Sequence, residues 1–93
     1  MSESTALVLS DGESLQRICG VHDTNLRLLE RLFGSPILVR GNELFLQSND
    51  DNVKHQFLTL LGELERHIHL GRTIDPGLIH ALYDDIALAD GES

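Results

Sequence analysis

A single cysteine, Cys19, rules out a disulfide within the chain and points to a reducing, cytoplasmic setting. Tryptophan is absent and only 4% of residues are aromatic, so there is no evident stacking platform for bases. There is also only one lysine, Lys54, and it follows Asn52-Val53 in a helical pattern. No Gly-x-x-x-x-Gly-Lys-Ser/Thr loop surrounds it, so this chain has no means of cradling nucleotide phosphates and is not expected to be an enzyme. His67 and His69 lie two apart, about 200° around a helix, and cannot share a metal; none is expected. The longest apolar stretch, Val53–Leu70, carries Lys54, Glu63, Glu65 and Arg66, which excludes a membrane span. Met1–Ala6 has neither the basic start nor the apolar core of a signal peptide.

What is present suits one small domain. The chain has 93 residues, 41% of them apolar and 24% charged. Its net charge of −8 argues against a self-sufficient nucleic-acid binder. That charge is uneven. Between Leu15 and Gly41, Arg17, Arg27, Arg31 and Arg40 outweigh Asp23 and Glu30, a local +2 in a remainder of −10. Solvated helix-surface arginines account for such an island without any ligand.

Residues 1–5 read as a tail. Ala6–Leu9 suits a buried strand, ended by Ser10-Asp11-Gly12, with Ser10 or Asp11 capping a helix over 13–19. Gly20-Val21-His22-Asp23 interrupts before a second helix, Thr24–Phe33, whose Leu26, Leu29, Leu32 and Phe33 recur at helical spacing. Gly34 and Pro36 end it. Ile37–Arg40 and Glu43–Gln47 flank Gly41-Asn42, a hairpin pattern in which both turn residues tolerate positive φ. Asn49 is expected to cap the longest helix, striped by Val53, Phe57, Leu60, Leu61, Leu64 and Ile68 and stopped at Gly71. Asp75-Pro76 opens a last helix over about 75–88, and residues 89–93 resemble the start of a linker. The expected architecture is α+β, KH-like β-α-α-β-β-α. It has a three-stranded antiparallel sheet covered by helices on one face, an extra C-terminal helix, and one domain over 6–88.

The segment Ile18-Cys19-Gly20-Val21-His22-Asp23-Thr24-Asn25-Leu26-Arg27 stands where a KH domain joins its first two helices by Gly-x-x-Gly and clamps a nucleotide backbone. Gly20 matches the first glycine; Asp23 replaces the second. Cys19-Gly20, Asp23, Asn25-Leu26, Leu29-Glu30 and Gly34 more closely resemble the N-terminal domain of PhoH-like ATPases, over about Ala6–Ile86. The likeness is informative because Asp23 and Asn25 are not demanded by core packing. It implies an intracellular protein linked to RNA metabolism, whose separate downstream domain binds ATP, with Mg, and hydrolyses it. Under this resemblance the chain is a non-catalytic accessory domain. Its RNA-contact candidates are Gly20, Val21, His22, Asp23, Arg17 and Arg27, and its partners are single-stranded RNA, held weakly, and its own ATPase domain.

Asp23 is read first as an N-cap of the second helix, worth about 1 kcal/mol and filling the anion site of that helix start. Its alternative role is a modified RNA contact. On the capping reading, Asp23→Gly strengthens RNA binding but lowers stability. The competing function is assembly: a homo-oligomerisation or partner-docking module without nucleic acid, its extra helix offering an apolar surface. Cys19 is expected to be a small buried residue, and His55, His80, Asp84 and Asp85 to be solvated.

Overall fold

The computed structural model describes residues 5–8 and 12–91, with side chains over 12–89. The order is β1 (Thr5–Val8), α1 (Gly12–Cys19), a 3-10 turn (Val21–Asp23), α2 (Thr24–Phe33), β2 (Ile37–Arg40), β3 (Glu43–Leu46), α3 (Asp51–His69) and α4 (Pro76–Gly91). The expected cap at Ser10 or Asp11 lies outside the described residues.

Local chemistry sets the helix ends. Asp50, not Asn49, caps α3: its Oδ1 accepts from the amides of Asn52 and Val53 at 2.9 and 3.3 Å. Asp50 has the extended backbone that aims a carboxylate back at the first turn. Beyond α3 the Arg72 amide donates to the His67 carbonyl and the Gly71 amide to that of Ile68, a Schellman pair. Asp75 caps α4 through the Leu78 amide at 2.8 Å, with Pro76 at the first helical position as expected. α4 runs on to Gly91, three residues past the expected helix end at 88. In the hairpin only Gly41 takes positive φ, at 56°; Asn42 does not share it.

The core is largely helical. α3 contributes Phe57, Leu60, Leu61, Leu64 and Ile68, α1 Leu15 and Ile18, α2 Leu29 and Phe33, and α4 Ile79. Phe33 sits edge-on to both Phe57 and Tyr83, centroids 5.6 and 5.4 Å away. The Tyr83 hydroxyl donates to the Leu32 carbonyl at 3.1 Å, so the partly buried face of α4 is spent on α2 and α3.

The expected KH-like balance, a three-stranded sheet with helices laid on it, needs correction. Helices dominate the described chain, and the sheet described down to its side chains is the two-stranded antiparallel hairpin of β2 and β3. Thr5–Val8 adds four backbone pairings along the other edge of β3, giving the order β1-β3-β2. Strands of four residues bury little. Among described strand side chains only Ile37, Leu44 and Leu46 enter the core, while Leu38 and Val39 remain exposed. The chain is a helix-dominated α+β domain.

Candidate functional site

The sequence between α1 and α2 builds a sharp left-handed turn. The Gly20 amide ends α1 on the Gln16 carbonyl at 2.9 Å, and the Asp23 amide closes onto the Gly20 carbonyl at 3.2 Å. Gly20 holds φ 80°, and His22 and Asp23 follow at 54° and 58°. A left-handed non-glycine residue costs roughly 1–2 kcal/mol, least for Asn and Asp. Two in succession make this the most strained stretch of described backbone.

Asn25 answers part of that cost. It is buried, and its Nδ2 donates to the Ile74 carbonyl at 3.4 Å, tying the turn to the connector between α3 and α4. A Cβ on Gly20 would stand 2.8 Å from Asn25 Nδ2. The expectation that packing makes no demand at position 25 is therefore corrected. Glu30 is also structural, its Oε2 accepting from the Ile37 amide at 2.9 Å where β2 begins.

Asp23 does not cap α2. A cap residue needs extended backbone to bring its oxygen to the first-turn amides, and the left-handed Asp23 makes no such bond. The side chain of Thr24 turns back as well, donating to the Val21 carbonyl at 2.7 Å. The start of α2 thus carries no side-chain cap, and the Thr24 amide instead donates to the Val21 carbonyl. The anion site is neighboured by a carboxylate and not filled by it.

This turn forms one wall of an open groove of about 1180 Å³. Gly20, Val21, Asp23 and Arg17 line it, facing Arg72 and Asp75 of the connector, with Val39 of β2 also present. Val21 is 77% exposed. Two expected contacts fall elsewhere: His22 is not part of the lining, and Arg27 lies along a separate recess of about 490 Å³. Arg17 is engaged with Glu13 at 2.6 Å. Arg72 Nη1 lies 3.3 Å from His67 Nδ1; a guanidinium only donates, so that nitrogen accepts. His67 is buried. Arg72, Ile74 and Val39 were not legible as site residues, because only tertiary folding brings the connector and β2 to the turn.

Cys19 is buried behind the turn. Burial, then the negative charge of Asp23, pushes its thiol up from an ordinary 9.0 to about 11, so it carries no nucleophilic chemistry near neutral pH. Among the described residues no group of three or more His, Cys, Asp or Glu could hold a metal ion. None of the described helices is long and apolar enough to cross a membrane. Comparison with family models, characterised proteins and solved structures finds no match.

Proposed function

We propose that the chain is a non-catalytic accessory domain of a PhoH-like ATP-binding protein and helps it hold single-stranded RNA. One observation carries this reading: a left-handed turn beginning at Gly20 brings the uncapped start of α2 to an open groove. The positive end of the helix dipole there attracts backbone phosphates without reading sequence, and ATP with Mg belongs to the separate ATPase domain. Asp23 weakens the grip by like-charge repulsion, in keeping with a helper that binds weakly. The test is a titration of labelled single-stranded RNA at low salt into the wild-type chain and Asp23→Gly. Tighter binding by the variant supports the reading; equal or weaker binding removes it.

A second reading is favoured by Val21 and Val39, both exposed at this groove. Apolar lips with Glu13, Asp23 and Asp75 nearby suit a segment of the ATPase domain or a sister subunit. Light scattering that shows a dimer, together with no RNA binding, selects this alternative.

A further inference from the structure

The histidines of this chain differ in their surroundings. His22, His55, His69 and His80 are exposed, whereas His67 is buried near the end of α3. His67 holds Arg72 through both main chain and side chain. Its carbonyl accepts from the Arg72 amide at 3.0 Å, and its Nδ1 accepts from Arg72 Nη1 at 3.3 Å. A guanidinium has no lone pair to offer and stays charged throughout, so the ring contact exists only while Nδ1 carries no proton. Histidine is the side chain that gains its proton between about pH 8 and pH 5.

Protonation turns this contact from a bond into a repulsion between two cations. Of the elements packed closely on α3, β1 has no ionisable residue. Glu13 and Arg17 of α1, and His80, Asp84 and Asp85 of α4, are exposed. Glu63, one turn before His67 on α3, feels its charge but is held by Arg66 at 3.1 Å. The charge free to move is that of Arg72, which is exposed. A destination exists. Arg72 lines the open groove together with Asp23, which makes no ion pair among the described residues. Asp75 lines it too, but its Oδ1 is taken by the Leu78 amide.

We propose that His67 is an acid-released latch on Arg72. Neutral, it holds the guanidinium against the end of α3; protonated, it drives the guanidinium into the groove toward Asp23. The consequence for RNA rests on the reading above: there Arg72 offsets the repulsion that Asp23 exerts on phosphate, so acid strengthens the grip. The latch itself does not depend on RNA.

Nitrogen NMR of the intact chain from about pH 8 to about pH 5.5 tests the latch. At the alkaline end His67 is expected in the tautomer that carries its hydrogen on Nε2. The Arg72 Nε signal is expected to move with the same midpoint as the His67 ring. In His67→Gln, whose side-chain oxygen accepts at any pH, that movement should vanish; in His22→Gln, which removes the histidine of the turn, it should persist. Hydrogen on Nδ1 at the alkaline end, an Arg72 signal that ignores the ring, or a movement that follows His22 overturns the latch. Circular dichroism checks folding. If His67→Gln does not fold, the wild type and His22→Gln, whose replaced side chain is exposed, decide alone. Labelled oligouridylate then reads the consequence. Between the two pH values the wild type should gain about 0.7 in logarithmic salt slope beyond any gain in His67→Gln, one added phosphate contact. Equal gains overturn the link between latch and RNA. No RNA binding at either pH overturns the accessory-domain reading, while the nitrogen signals still decide the latch.

Discussion

One left-handed glycine opens the turn that leads into α2 and another closes the helix, but their surroundings differ. Gly20 sits at φ 80° against the side chain of buried Asn25, whereas Gly34 sits at φ 64° with nothing within 4 Å of where a methyl group would stand. Gly34 performs only a backbone task, ending α2 as its amide reaches the Glu30 carbonyl. Gly20 performs two: it reverses the chain and admits the Asn25 clasp to the connector at Ile74. The entry to α2 is therefore held by tertiary structure, while its exit is local. That contrast also separates a strained, acid-bearing turn from the exposed arginines farther along the helix.

The largest expected effect breaks this contrast directly. Gly20→Ala should lose about 2–4 kcal/mol of stability, from left-handed strain plus overlap with Asn25. Gly34→Ala should lose only about 1 kcal/mol, from backbone strain alone. Urea denaturation of both variants checks the difference, and equal losses would mean that Asn25 does not crowd the turn. Next in size, Asn25→Ala should cost about 1–3 kcal/mol by leaving the buried Ile74 carbonyl unsatisfied. Its combination with Gly20→Ala should cost less than the sum of the single losses, because the overlap is gone.

Asp23→Gly sharpens the comparison with a smaller effect of opposite sign. With no cap bond to lose, glycine relieves the left-handed strain, offset by greater freedom of the unfolded chain, for a net change of about 0 to +1 kcal/mol. A fall in melting temperature would restore the capping role. The smallest expected effect at neutral pH concerns Cys19, whose contribution changes only in the alkaline range. Its folded thiol stays protonated up to about 11, while the unfolded thiol ionises near 9.0. The unfolded state then holds fewer protons, so stability is full below pH 9 and falls as pH rises toward 11. Cys19→Ala should flatten this part of the stability profile; an unchanged slope would assign it to other groups.

Much of the helical framework was legible in the sequence. The stripe from Phe57 to Ile68 and the pairing of Asp75 with Pro76 follow from spacing and capping chemistry, which act within a few residues. The turn was legible as an interruption, since Gly20 breaks α1. Its chemistry was not. Whether Asp23 caps α2 depends on its own φ, and whether Asn25 is buried depends on a partner 49 residues away. The strands were legible to within a residue or so, but alternation puts Val39 on the face of Ile37, as it puts Leu46 on that of Leu44, and Val39 remains exposed because no helix covers that end of β2. Of the candidate contacts, the structure gathers Gly20, Val21, Asp23 and Arg17 at one groove and sends Arg27 to another face.

The central claim is that RNA reaches this domain at the start of α2, which no side chain caps. It is tested most directly by the salt dependence of oligouridylate affinity for the intact chain. The account predicts weak binding that declines steadily as salt rises. Affinity indifferent to salt, or no association even in dilute buffer, would contradict it.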